Sequence, residues 1–110
     1  MTHSAKKYLE DIAMAIDKIE KFIESCPDFN AYSNDDKTKS AVERQLGIVG
    51  EAVNLYSKQS AAFEIQNANQ IVSLRNRLVH AYSSVDESIV WAIVQNHLPA
   101  LKAEIKILLL

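Results

Sequence analysis

"SAKKYLEDIAMAIDKIEKFIES", residues 4–25, is the stretch whose reading decides the fold. Ala5, Leu9, Ile12, Ile16, Ile19 and Ile23 recur at alternating steps of four and three. That spacing places them on one stripe of a helix that turns ~100° per residue. Asp and Lys fill the other face, with pairs such as Asp17 and Lys21 one turn apart. The stripe predicts an amphipathic helix that ends at Cys26-Pro27, because a residue before proline is pushed out of the α region.

The same period continues outward. "CPDFNAYSNDD" (residues 26–36) reads as a polar connection whose Phe29 and Tyr32 fold down as a lid on the core. Ser33 or Asn34 is expected to cap the next helix, with Asp35 and Asp36 in its first turn, where the helix dipole favours acids. That helix runs to about Lys58, with Val42, Leu46, Val49, Val53 and Tyr56 on one stripe and Ala41, Ile48, Ala52 and Leu55 widening it. Gly47 and Gly50 sit inside it, each costing up to ~1 kcal/mol relative to alanine. Close approach of a neighbouring helix is the expected compensation.

"SAAFEIQNANQ" (60–70) is a linker with a short turn expected around Phe63 and Ile65. A third helix carries Ile71, Leu74 and Leu78 and ends near His80. "SSVDES" (83–88) breaks it, with Ser84 or Asp86 as the next cap. The last segment holds Ile89, Val90, Ile93, Val94, Leu98, Leu101, Ile105 and Leu108. A kink or restart is expected at Pro99, which cannot donate to the Gln95 carbonyl. The expected architecture is all-α, an up-and-down four-helix (to five-helix) bundle in one domain spanning residues 1–110.

Composition agrees with this. Apolar residues at 48% and charged residues at 24% are ordinary for a globular chain, and two glycines and two prolines are too few for a turn-rich β fold. A net charge of −2 excludes a general basic field for gripping long nucleic acid, so any such contact must be local. The single cysteine, Cys26, has no partner for a disulfide or a metal and reads as a half-buried side chain near a helix end. Neither a signal peptide nor an apolar run near the ~18 residues of a membrane span is visible, so no membrane is expected and the cytoplasm is the expected location. The apolar surface of the second and last helices exceeds what one small bundle needs, which points to a homodimer or another partner.

"SLRNRLVHAYSSVD" (73–86) does not look like packing. It holds two of the three arginines, Arg75 and Arg77, one of the three histidines, His80, and Tyr82. On a regular helix Arg75 and His80 lie ~140° apart, whereas Asn76 and His80 share a face. One chain therefore brings the pair together poorly, while two chains with these segments packed together would enclose two arginines and two histidines. That combination suits RNA chemistry without metal. A histidine titrating near neutrality can take a proton from a ribose 2′-hydroxyl or give one to the leaving 5′-oxygen. An arginine fork can hold the phosphate and stabilise its developing charge. The products would be a 2′,3′-cyclic phosphate and a 5′-hydroxyl. No zinc-type ligand spacing accompanies His3 or His97, so neither a metal nor a cofactor is expected.

"LRNRLVHAY" (74–82) resembles the signature of HEPN ribonucleases, and its His-x-Tyr ending resembles the HepT-like toxins in particular. "AVERQLGIVGEAVNLYS" (41–57) is similar to that family's second helix, including the Gly50-Glu51-Ala52 step. "IVWAIVQNHLPALKAEI" (89–105) is similar to its last helix, including the mid-helix proline. The resemblance implies a dimerising helical bundle with Arg75 and His80 of both protomers as catalytic residues, Asn76 in support and Arg77 contacting RNA. It also implies a toxin–antitoxin pair, in which a minimal nucleotidyltransferase antitoxin transfers AMP from ATP to Tyr82 and blocks the cleft. The alternative reading is a non-catalytic HEPN module that binds nucleotide or supports a nucleotidyltransferase. A plain helical interaction protein, indifferent to loss of His80, is the third.

Overall fold

The computed structural model describes residues 1–59, 63–80 and 85–110. These form α1 (His3–Phe22), α2 (Phe29–Ser33), α3 (Asp36–Ser57), α4 (Ala68–His80), α5 (Glu87–Asn96) and α6 (Leu98–Leu108), with a single 3-10 turn, Ile23–Ser25, after α1. Among the described residues no strand occurs. The expected all-α bundle is what the chain forms.

α1 starts where the Thr2 hydroxyl accepts from the Ala5 amide at 3.0 Å and buries Ala5, Leu9, Ile12, Ala15, Ile16 and Ile19. Ile23, at the end of the predicted stripe, is only half-buried in the tightened last turn. Asp17 turns to Lys102 of α6, 3.3 Å away, rather than to Lys21. α1 packs mainly on α3, whose predicted stripe is buried in full. Thr2 at the start of α1 hydrogen-bonds Gln59 just beyond α3, so the two helices run antiparallel. α6 closes the other side of α1, where Lys102 also bonds Glu20 at 2.6 Å. Cys26 is fully buried in this core rather than half-buried.

The polar connection after α1 is itself helical. The Asp28 carboxylate caps it by accepting from the Ala31 amide at 2.9 Å. Tyr32 points inward, is completely buried and stacks obliquely on Trp91, ring centroids 5.1 Å apart. Phe29 stays at the surface, so only Tyr32 acts as the expected lid. Ser33 and Asn34 end this short helix, and Asp35 caps α3, accepting from the Thr38 amide at 3.0 Å.

Downstream, Ile65 is buried while Phe63 is exposed. Asn67 adopts φ 62°, a left-handed conformation that asparagine tolerates, and its carbonyl accepts from Ile71 as α4 begins. α4 starts a turn earlier than its apolar stripe suggests. The principal packing of α4 is on α3, and none of its residues is fully buried. Asp86 caps α5 through the Ser88 amide at 2.8 Å. Pro99 ends one helix and opens another. α5 stops at Asn96, and α6 starts with the proline in its first turn, where the missing N–H removes no helical bond.

A polar network fixes the start of α5. Glu87 accepts from the Ser33 hydroxyl and from Lys39 of α3 at 2.9 Å, and Lys39 also reaches Asp36 at 3.2 Å. The Ser33 and Lys39 hydrogen bonds hold the Glu87 carboxyl below its usual range, and Glu87 in turn raises the Lys39 ammonium.

Candidate active site

Four of the five candidate side chains stand on α4. Arg75 is half-buried, whereas Asn76, Arg77 and His80 are exposed, His80 being the last helical residue. Tyr82 falls outside the described residues.

α4 lies unusually close to α3 at Gly50. A Cβ there would run into the Arg75 Cβ, with the Arg75 Cγ at 2.8 Å and the Ile71 carbonyl oxygen at 3.3 Å. Gly50 is therefore the expected close approach. Gly47 is not, since a Cβ there would meet nothing within 4 Å. Its place in the helix has no packing reason.

The guanidinium end of Arg75 is held from two sides. Its Nη2 lies 2.8 Å from Glu51 Oε2 on α3, and its Nη1 donates to Asn76 Oδ1 at 3.0 Å. On a regular helix Asn76 stands ~100° from Arg75 in the direction of His80, a further ~40° on. The Arg75–Asn76 bond thus draws the cationic fork toward the face that His80 occupies. The two groups still come from positions ~140° apart, as the spacing requires.

Glu51 was visible in the sequence only as the middle of a Gly-Glu-Ala step. An acidic residue directly after a helix-interior glycine was the available signal, but the arginine across the helix pair makes it meaningful. Among the described residues, no three His, Cys, Asp or Glu side chains gather as a metal site would need, and no helix is long and apolar enough to cross a membrane. A polar hollow bordered by Asn67, Gln70 and Glu104 lies at the start of α4. That is roughly 18 Å along the helix from His80 and unrelated to the motif.

The comparisons with known proteins point the same way. The chain is 39% identical over 106 residues to a Thermococcus cleftensis protein named "Probable ribonuclease HepT", covering 94% of each. It is 32% identical over 104 residues to a Methanocaldococcus jannaschii protein whose name marks it as a candidate RNase, covering 93% of this chain and 94% of that one. No solved structure matches at a comparable level. The family model described as Ribonuclease HepT-like matches residues 12–108, and with a helical bundle that carries Arg75 to His80 on one helix, the chain belongs to the HepT-like ribonuclease family.

Proposed function

We propose that this endoribonuclease cuts RNA without a metal, using Arg75 and His80, and that it is the toxin of a toxin–antitoxin pair. The observation that carries the cleavage reading is the Arg75 guanidinium, half-exposed and braced by Glu51 and Asn76; on a regular helix Asn76 stands between the directions of Arg75 and His80. His80 takes the proton of a ribose 2′-hydroxyl, whose oxygen attacks phosphorus. The P–O5′ bond breaks, and the imidazolium of the second protomer's copy of this histidine protonates the leaving oxygen. Arg75 stabilises the charge that grows on the phosphoryl oxygens. Asn76 holds the arginine, and Arg77 meets the RNA backbone.

A homodimer brings two such motifs together. Its support is the weak burial of α4, together with Val79 and Ile89, large apolar side chains exposed on either side of residues 81–84. Regulation follows from position. Tyr82 lies two residues past His80, and a nucleotidyltransferase antitoxin that attaches AMP there would add a negative phosphate and a base two residues from the proposed catalytic histidine.

The test pairs RNA cleavage with thermal melting for wild type and His80→Ala. Cleavage should fall by a factor of about 10² or more in the presence or absence of EDTA, with the melt unchanged because the side chain is exposed. Unchanged cleavage, or loss of both, returns the protein to a non-catalytic reading.

A further inference from the structure

Two adjacent residues of α3 seat Arg75 at two heights of its side chain. Gly50 leaves room for the Cβ and Cγ. Glu51 then reaches the far end, 2.8 Å from Nη2. With Nη1 bonded to Asn76 at 3.0 Å, described residues engage two of the five guanidinium N–H donors, and the other three have no partner among the described residues.

Neither ordinary purpose of an ion pair explains Glu51. The two side chains are 27% and 43% exposed, and a pair so open to water adds little to folding stability. Nor does a carboxylate beside a phosphate-binding arginine help RNA to bind, since it repels the backbone. What it does provide is direction, because an arginine stem is long and its fork useful only when aimed.

We propose that Glu51 is a positioning residue of the ribonuclease site: its carboxylate holds the Arg75 guanidinium so that the remaining donors face the scissile phosphate on the His80 side of α4. The proposal rests on the reading of Arg75 and His80 as the cleavage pair and adds a third chain element, α3, to that site. Glu51 acts through Arg75 and touches no reacting atom.

The experiment uses the full chain and its Glu51→Ala, Glu51→Gln and Glu51→Asp variants, with kcat and KM on a short single-stranded RNA, thermal melts and arginine side-chain NMR. Glu51→Ala should lower kcat by roughly 10- to 100-fold, the scale of a misplaced catalytic group. KM should stay level or fall, because a repelling charge has gone. Glu51→Gln should fall between wild type and alanine, and Glu51→Asp should recover part of the loss. In an Arg75→Ala background, Glu51→Ala should add nothing further, since both act through one guanidinium. The chain has only three arginines, so the Nε–Hε signal of Arg75 is assigned by its disappearance in Arg75→Ala. In Glu51→Ala that signal should move and broaden, while those of Arg44 and Arg77 hold. Unchanged kcat in Glu51→Ala, a further loss in the Arg75→Ala background, or a fall in kcat that tracks a lowered melt would each overturn the proposal. A wild-type chain that cuts no RNA would instead remove the cleavage pair itself, and the proposal with it.

Discussion

Gly50 and Gly47 offer one substitution with two opposite outcomes on the same helix. At Gly47 a new Cβ meets nothing within 4 Å, so Gly47→Ala collects the helix-propensity gain alone, up to ~1 kcal/mol of added stability. At Gly50 the same methyl lands on the Arg75 stem, with Cγ at 2.8 Å and the Ile71 carbonyl oxygen at 3.3 Å. Carbon atoms rest about 3.5–4.0 Å apart, and the Arg75 Cβ is the nearest atom of all, so α4 must move out by roughly 1.5 Å. Overpacking of this kind costs about 1–3 kcal/mol, of which the propensity gain returns up to ~1 kcal/mol. Gly50→Ala should therefore be less stable than wild type by up to about 2 kcal/mol, a fall in Tm of several degrees at roughly 4 °C per kcal/mol for a domain this size. Circular dichroism at 222 nm during thermal and urea unfolding measures both variants in one experiment. Cleavage adds a second reading, because displacing α4 pulls Arg75 away from Glu51. Gly50→Ala should cut poorly at temperatures where it is fully folded, whereas Gly47→Ala should cut as wild type does. Equal shifts of the same sign in the two variants would refute the close approach of α3 and α4 at Gly50.

Two further expectations concern Tyr32 and the helix caps. The Tyr32 hydroxyl is buried with no hydrogen-bond partner among the described residues, and burial, with Glu43 and Glu87 nearby, pushes its pKa well above the usual tyrosine value. Tyr32→Phe removes an unsatisfied polar group and keeps the ring against Trp91, so urea unfolding should show the variant at least as stable as wild type, by up to ~1 kcal/mol. Loss of more than that amount would mean that the hydroxyl has a partner. The caps Asp35 and Asp86 are held below the usual carboxylate range by hydrogen bonds from Thr38 and Ser88. A carboxyl with a lowered folded-state pKa contributes stability above its unfolded value, near pH 4, and loses it as pH falls through the folded value. An Asp35→Asn/Asp86→Asn chain keeps both caps without the titration, so its Tm should decline less than that of wild type between pH 5 and about pH 2. Parallel declines would contradict the assignment.

How far the sequence could be read depended on whether a feature was local. The stripe of α1 was legible because its period sums over many residues, and the restart at Pro99 because the missing N–H acts within one turn. α2 was not. Its five residues are too few for a period, and what makes them helical is the burial of Tyr32 against Trp91, a contact with a distant segment. The cap of α3 shifted to Asp35 for the same reason, since Ser33 is bonded to Glu87 across the fold. Gly47 and Gly50 were indistinguishable as letters, and only the path of α4 separates them. Arg75, Asn76 and His80 could be singled out because cation, amide and imidazole crowded into six residues are unusual in a packing segment. Glu51 could not, because an acid on a helix is ordinarily a solvated one.

The one-sided attachment of α4 has a consequence for how the protein opens. Regions with few fully buried side chains exchange their amide hydrogens through openings that cost less than global unfolding. α1 and α3 share the deepest part of the core, whereas α4 rests on α3 with no residue fully buried. In hydrogen exchange, α4 should form its own cooperative unit and open first, carrying Arg75 and His80 with it. The helix proposed to carry the cleavage pair would then detach while most of the bundle remained helical. Heat would silence such an enzyme several degrees before it melted, and anything that clamped α4, including a second protomer, would raise the temperature of inactivation more than the temperature of unfolding.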